Sequence, residues 1–174
     1  GIAGGSGVTP ILSTMKTVLA REPLSHFTLI YGNRALKSTM FKEEIEDLKN
    51  RYLTRLTLHH VFSDEHTEMI DDPQVASRPP PEGEAGLGAA RRSGFALNMG
   101  VMNRAKIGEF LNSVVPAAGI DHVFVCGPFQ MNDEAEAALL SAGVPEDRIH
   151  IERFGIAPQD GQQAVGAVIH EAKP

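Results

Sequence analysis

The sequence has little cysteine, no long apolar run and no excess of positive charge, and each shortage excludes a class of protein. Cys126 is the only cysteine among the 174 residues, so no disulfide can form within the chain. A lone cysteine is typical of a reducing compartment, and the first residues lack the pattern of a signal peptide, so we expect a cytoplasmic protein. No apolar run approaches the roughly 20 residues that a membrane-spanning helix needs, and no membrane partner is expected.

The charge balance is mildly acidic, with 16 Lys and Arg against 22 Asp and Glu. A nucleic-acid-binding domain is expected to carry a basic patch, so nucleic acid is not an expected partner. Apolar residues make up 42% of the chain and charged residues 22%, which is typical of a soluble globular domain. The length suits one domain, and an acidic surface still leaves room for a local basic pocket that takes a phosphate.

Short apolar runs alternate with amphipathic stretches along most of the chain. The pattern predicts strands at residues 1–3, 26–31, 56–62, 122–126 and 149–152, and helices at residues 10–21, 41–52, 107–115 and 132–142. This alternation is typical of an α/β fold, in which helices cover both faces of a parallel sheet. Such sheets bind ligands beyond the carboxyl ends of their strands. We therefore look for chemistry at residues 4–10, 32–34 and 126–131.

Two segments do not fit the compact pattern. Residues 71–100 are rich in Pro, Gly and Ala, and we expect residues 77–93 to be a disordered insert. Residues 156–166 are typical of a linker, and a further strand is expected to start at about residue 167. The chain also opens with glycine in the middle of a motif. We therefore expect a fragment whose first strand is truncated.

The first chemical motif is the glycine-rich turn Gly-Gly-Ser-Gly-Val-Thr-Pro at residues 4–10. Glycines let backbone N–H groups approach an anion, and the N-terminus of the following helix adds positive potential. Ser6 and Thr9 offer further hydrogen bonds, and Pro10 suits the first turn of a helix. The spacing is neither that of G-x-G-x-x-G nor that of a P-loop, so a simple tight turn is the alternative.

Two further motifs follow strands. Tyr-Gly-Asn-Arg at residues 31–34 lacks the acidic residue that usually holds the ribose of NAD, and it places Arg34 where NADP-binding folds place an arginine. The alternative for Arg34 is a solvated loop residue. Cys-Gly-Pro at residues 126–128 offers a flat approach to the backbone, although Cys126 alone is most simply a small buried apolar residue. His59 and His60 are adjacent on a strand, point to opposite faces and cannot share a metal.

These motifs, taken together and in this order, resemble the ferredoxin-NADP reductase superfamily. The resemblance runs from residue 1 to about residue 155 and includes Met40-Phe41 and the run Glu-Arg-Phe-Gly at residues 152–155. It is strongest to the reductase subunits of multicomponent oxygenases, such as the phenylacetyl-CoA epoxidase and hydroxylase reductases. The resemblance implies a Rossmann-like NAD(P)-binding domain over residues 1–155, with a five-stranded parallel sheet in the order 3-2-1-4-5.

The resemblance also implies roles for individual residues and partners. Catalytic alignment would fall to Cys126 and Glu152, no metal would be bound, and NADP or NAD would be the nucleotide. The implied cofactor-binding residues are Gly4, Gly5, Ser6, Gly7, Thr9, Pro10, Asn33, Arg34, Lys37, Cys126, Gly127, Pro128, Met131 and Phe154. In such proteins an FAD-binding β-barrel precedes this domain, a 2Fe-2S domain often follows it from about residue 167, and an oxygenase accepts the electrons. FAD and 2Fe-2S would not be bound by residues of this chain.

Alternatives from other functional classes stay open on the sequence. The same fold serves flavohaemoglobin-type and cytochrome-type acceptors, and a non-enzymatic nucleotide-binding module or a flavin-free sensor would show the same turns. A flavin motif upstream would exclude the sensor, and a downstream group of four cysteines would select the oxygenase-type reductase.

Overall fold

A computed structural model of the chain describes residues 1–64 and 97–154. The expected disordered insert, linker and following strand, at residues 77–93, 156–166 and 167–174, lie outside the described residues.

The described residues form a parallel sheet whose strand order, β3-β2-β1-β4-β5, is the predicted 3-2-1-4-5. The strands are β1 (Ile2–Gly4), β2 (Phe27–Asn33), β3 (Leu56–Phe62), β4 (Val123–Cys126) and β5 (Ile149–Glu152). Four helices connect and flank them: α1 (Val8–Arg21), α2 (Lys42–Arg51), α3 (Arg104–Ser113) and α4 (Phe129–Ser141). The predicted α/β fold class is thus confirmed.

Each face of the sheet is covered by a pair of helices. One apolar cluster joins the inward residues of α1 and α2 to one face of the strands, with Met15, Leu19, Ile45 and Leu48 among its members. The other joins α3 and α4 to the opposite face and includes Phe110. Because both faces are buried, the central strands are almost wholly apolar, as expected for a parallel sheet.

The element boundaries differ from the prediction in two informative places. The helix predicted at residues 107–115 begins at Arg104, because the side chain of Asn103 caps it by accepting a hydrogen bond from the Lys106 amide at 2.9 Å. The helix predicted at residues 132–142 begins at Phe129, directly after Pro128. Met131 therefore lies in the first turn of α4 rather than in the preceding loop.

The central strand β1 is short. It has three residues, whereas its neighbour β2 has seven, yet it pairs in parallel with both β2 and β4. Its carboxyl end is paired on both sides, since Ala3 lies opposite both Tyr31 and Cys126. The three strands whose ends carry the sequence motifs are thus adjacent at the centre of the sheet. A cavity of about 510 Å³ lies at the other, amino end of β1.

Candidate functional site

The glycine turn leaves β1 and leads directly into α1. Gly5–Gly7 form a single turn of 3-10 helix, and α1 follows at once with Gly7 as its N-cap residue. No side chain caps this helix end. The carbonyl of Gly5 accepts from the Val8 amide, so the backbone of the turn partly caps the helix. The N-terminus of a helix still carries positive potential, and without a capping side chain it suits an anion.

Two glycines of this turn are required for different reasons. Gly5 has a φ of +53°, and a side chain at this position would meet nothing within 4 Å. Glycine is therefore needed here for its backbone conformation and not for lack of space. Gly7 is glycine because a Cβ would overlap the carbonyl oxygen of Cys126. The start of α1 thus sits directly against the end of β4.

The glycine turn and the Cys-Gly-Pro turn are in contact through Met131. A Cβ on Gly4 would lie 2.6 Å from the Met131 sulfur and 2.9 Å from Cδ of Pro128, and a Cβ on Gly127 would lie 3.1 Å from the Gly4 nitrogen. The structure thereby brings together two motifs that are more than 100 residues apart in the chain.

The two hydroxyl groups predicted in the glycine turn differ in availability. Ser6 is exposed at the tip of the turn. The hydroxyl of Thr9 donates to the carbonyl of Ser6 at 3.0 Å. Because a hydroxyl has one proton to donate, Thr9 supports the turn and leaves anion contacts to Ser6 and the backbone.

The loop after β2 presents two cations. Arg34 and Lys37 are exposed, and within the described residues the Arg34 guanidinium makes no hydrogen bond or ion pair. The Arg34 backbone is held, since its carbonyl accepts from the Asp64 amide at 2.9 Å, and the carbonyl of Asn33 accepts from the Ser63 amide at 3.0 Å. A fixed backbone with a free guanidinium is suited to an anionic ligand.

Sequence reasoning missed the role of Tyr31 in this region. Its side chain is fully buried, and its hydroxyl donates to the Gly5 carbonyl at 3.0 Å and accepts from the Met40 amide at 3.2 Å. One side chain thus connects the glycine turn to the loop after β2. The sequence did contain a signal for this role, a tyrosine near the carboxyl end of an apolar strand. A hydroxyl buried there needs hydrogen-bond partners.

Cys126 and Glu152 are direct partners on β4 and β5. Cys126 is fully buried in the core on the α1 side, and burial, with a smaller contribution from the Glu152 carboxylate, raises the pKa of its thiol. The thiol is therefore neutral near pH 7 and is not a free thiolate. Glu152 is exposed, and Phe154, 56% exposed, extends beyond the strand.

A second residue that the sequence did not reveal is Asn132. It is completely buried, and its side-chain amide donates to the Gly127 carbonyl at 3.2 Å and to the Glu152 carbonyl at 3.4 Å. Asn132 thus ties the Cys-Gly-Pro turn to the end of β5. An asparagine in the first turn of a helix is usually solvated, so the sequence offered no reason to single it out.

The neighbouring histidines lie on opposite faces of β3, as predicted. The ring of His59 meets Phe110 edge-on at a centroid distance of 5.3 Å, whereas His60 lies 5.9 Å from the ring of Tyr31. Burial lowers the pKa of both imidazoles. Across residues 1–64 and 97–154, no three His, Cys, Asp or Glu side chains gather where they could hold a metal ion. In the same residues no helix has the length and apolar character to cross a bilayer.

The comparisons with known proteins agree with this geometry. A family model for the oxidoreductase NAD-binding domain matches residues 2–74. Over 153 residues, 88% of the chain, the sequence is 39% identical to one of the subunits of the 1,2-phenylacetyl-CoA epoxidase of Escherichia coli strain K12. The chain belongs to the ferredoxin-NADP reductase superfamily. It is also 32% identical, over 94% of its length, to the ferredoxin reductase component of a 3-ketosteroid-9-alpha-monooxygenase from Mycolicibacterium smegmatis.

Solved structures of other proteins share the fold. The FAD/NAD-binding domain of a nitric oxide dioxygenase from Vibrio cholerae matches 89% of the chain with a TM-score of 0.60, and 50% of the neighbour is covered. A cytochrome P450 reductase from Amycolatopsis matches 87% of the chain, also with a TM-score of 0.60, and 36% of that neighbour is covered. Both are 21% identical, so they bear on the fold alone. The chain spans 36% of the length of each of the two curated relatives above.

Proposed function

We propose that this chain binds NADPH along the carboxyl edge of its sheet and presents the nicotinamide to a flavin carried by a neighbouring domain. The chain is an NAD-binding domain of an oxidoreductase family. The uncapped start of α1, packed directly against the Cys-Gly-Pro turn, is the observation that carries the proposal.

The phosphates have two complementary sites in this proposal. The pyrophosphate would bind the glycine turn, where the start of α1, which has no side-chain cap, meets the open side of Gly5. The adenosine 2′-phosphate would bind Arg34, with Lys37 beside it, because a guanidinium meets a phosphate with two parallel hydrogen bonds. Pro10 would contribute in the first turn of α1, where its missing N–H costs no helical hydrogen bond.

The nicotinamide would lie against the turn of residues 126–128. Met131 fills the space beneath this turn, and Asn132 fixes the turn against the end of β5. The reduced nicotinamide would supply a hydride to the flavin, and no residue of this chain would need to act as an acid or a base. The work of the protein is alignment. The backbone of Cys126 and the exposed side chain of Glu152 would flank the reacting ring, and Phe154 would meet the flavin side.

The wider electron path lies outside this chain. We propose an FAD-binding β-barrel upstream, a 2Fe-2S domain downstream and an oxygenase component as the final acceptor. Two of the relatives support this, since one is named as part of an epoxidase and the other as the ferredoxin reductase component of a monooxygenase. A cluster held by four thiolates does not fit this chain, which has one cysteine.

Calorimetric titration of the chain with NADPH, NADH and ADP tests the nucleotide site directly. We expect all three to bind and NADPH to bind most tightly, because it alone places a phosphate at Arg34. Lactate or glucose 6-phosphate serves as a control, because each is an anion that lacks an adenine nucleotide. Absence of binding by all three nucleotides would refute the proposal.

A further inference from the structure

We propose that the Tyr31 hydroxyl is a positioning group, which holds the glycine turn and the loop of residues 34–40 in one fixed arrangement for the nucleotide. This inference rests on the proposed NADPH site and assigns a residue that contacts no ligand itself. Tyr31 lies on β2, fully buried, and its hydroxyl bonds to both segments.

The first consequence concerns the direction of one peptide in the glycine turn. The Gly5 carbonyl points toward the buried Tyr31 hydroxyl at 3.0 Å. This carbonyl and the amide N–H of Ser6 belong to the same planar trans peptide and point in opposite directions. The Ser6 N–H therefore points away from the buried ring, toward the exposed side of the turn. Tyr31 thus selects the peptide orientation that presents a donor to an anion.

Gly5 makes this selection necessary. Its φ of +53° is a conformation that glycine can leave readily, because it has no Cβ to confine it. The same carbonyl also accepts from the Val8 amide, so the orientation is shared with the start of α1. Two donors on one carbonyl oppose a flip of this peptide.

The second consequence concerns the loop that carries Arg34. The amide of Met40 donates to the Tyr31 hydroxyl at 3.2 Å. Within the loop, Ser38 bonds locally to the backbone of Ala35 at 2.7 and 3.1 Å. The Tyr31 contact therefore anchors the far end of the loop to the sheet, while the contact between Asp64 and Arg34 anchors its near end.

The protonation state of the hydroxyl fits this role. Burial raises the pKa of Tyr31, partly offset by the hydrogen bond from Met40. The hydroxyl keeps its proton at neutral pH and can donate to Gly5 while it accepts from Met40.

The test compares Tyr31→Phe with Tyr52→Phe in the full chain. These are the two tyrosines, and Tyr52 lies at the end of α2, where its ring faces Arg55 at 5.1 Å. We expect Tyr31→Phe to weaken NADPH binding by roughly 2- to 12-fold, the worth of one hydrogen bond. NADH binding should weaken less, because it does not use Arg34. Tyr52→Phe should change neither.

A double-mutant cycle separates positioning from general stabilisation. In an Arg34→Ala background, Tyr31→Phe should weaken NADPH and NADH equally, since the loop then holds no guanidinium to position. Equal losses for both nucleotides already in the wild-type background would overturn the link to the loop. Unchanged affinities, measured well below the melting temperature, would overturn the inference altogether.

A nucleotide-free measurement keeps this inference distinct from the proposed function. Hydrogen exchange of the Met40 amide should be faster in Tyr31→Phe than in wild type, and unchanged in Tyr52→Phe. If the wild-type chain binds no nucleotide, the proposed function fails, and the exchange data still decide whether Tyr31 holds the loop. Unchanged exchange at Met40 would contradict the inference whatever the binding results.

Discussion

Arg34 and Arg55 lie at opposite ends of the strands of the same sheet, Arg34 after β2 and Arg55 before β3. Their side chains have opposite roles. At the amino edge, the Arg55 guanidinium donates to the carbonyls of Leu19, Glu22 and Ser25 at 2.5, 2.8 and 3.4 Å. At the carboxyl edge, the Arg34 guanidinium has no hydrogen bond or ion pair with the described residues. One guanidinium completes the fold, and the other is left available.

The helix ends show the same contrast. Arg55 supplies donors to the carbonyl groups at and beyond the end of α1, as a C-terminal cation should. The start of α1 has no side-chain cap, and among its first amides that of Val8 donates to the Gly5 carbonyl. A helix start without a side-chain cap, at the same end of the strands as an arginine that has no partner among the described residues, favours anion binding more than it favours stability. The contrast between the two ends of the strands supports the proposal that an anionic ligand binds at the carboxyl end.

The largest expected effect comes from the glycine turn, where Gly7 and Gly5 separate fold from site. In Gly7→Ala the new Cβ meets the backbone of Cys126, so α1 and β4 must move apart. We expect a loss of unfolding free energy of about 3 kcal/mol, typical of severe overpacking. Gly5→Ala has open space and a strained φ, so it should cost only about 1–2 kcal/mol.

Urea denaturation measures both variants of the glycine turn. Calorimetry on folded Gly5→Ala should show a clear loss of ADP affinity, because in the proposed site the turn contacts the pyrophosphate. A Gly5→Ala variant that is as unstable as Gly7→Ala would mean that the turn serves packing rather than binding.

The second effect compares the two arginines directly. Arg34→Ala should weaken NADPH binding by about 10- to 150-fold, the range for hydrogen bonds to a charged group, and leave the unfolding free energy unchanged. NADH affinity should hardly change. Arg51→Ala is the matched control, because Arg51 is an exposed arginine at the far end of α2. Equal losses for NADPH and NADH would assign Arg34 to the adenine or the loop instead of the 2′-phosphate.

Arg55→Ala should show the converse behaviour. Removal of its guanidinium leaves backbone carbonyls at the end of α1 without their donors, so we expect a loss of about 1–2 kcal/mol in unfolding free energy. NADPH affinity at a temperature where the variant is folded should stay within about twofold of wild type. A marked loss of affinity would show that the two edges are not independent.

How much of this contrast the sequence predicts depends on the range of the interactions. Local patterns were sufficient for the strands, the helix α1 and the glycine turn, because apolar periodicity and glycine spacing act over a few residues. The identity of Arg34 as a site candidate also followed from its place after a strand. Neither Tyr31 nor Asn132 was predicted, since their partners lie in other segments and a single sequence does not show which carbonyl a buried donor meets.

Cys126 illustrates the same limit from the other side. Its position at the end of an apolar strand allowed two interpretations, a buried apolar residue and a group beside the reacting ring. The structure buries the thiol completely, yet it also places the residue opposite Glu152 and against Gly7. Sequence motifs placed Cys126 at the sheet edge, and only the packing of α1 determined that its side chain points into the core.

The smallest expected effect concerns His60. This residue lies on β3, and its ring packs near that of Tyr31 on the same face of the sheet. Burial lowers the pKa of its imidazole below the ordinary value of about 6.5. Above that pH both the folded and unfolded chains carry neutral His60, so the fold has its full stability. As the pH falls through about 6.5, the unfolded chain takes up the proton first, and the unfolding free energy decreases.

His60→Phe keeps an aromatic ring and removes the titration, so its unfolding free energy should decline less than that of wild type as the pH falls from about one unit above to about one unit below 6.5. We expect a difference below about 1 kcal/mol, because the imidazole is only partly buried and solvent screens its charge. Titrating groups that do not interact with His60 are common to both proteins and cancel in the comparison. The charges of Glu46, Lys42 and His59 act on His60, so their contributions are part of the measured difference. Urea denaturation at several pH values gives the two slopes.

Tyr31 adjoins His60, so NADPH binding at low pH is a second readout. A slope difference accompanied by weaker NADPH binding at low pH would show that charge at His60 affects the nucleotide site. A difference in stability alone would show that His60 acts only on the fold.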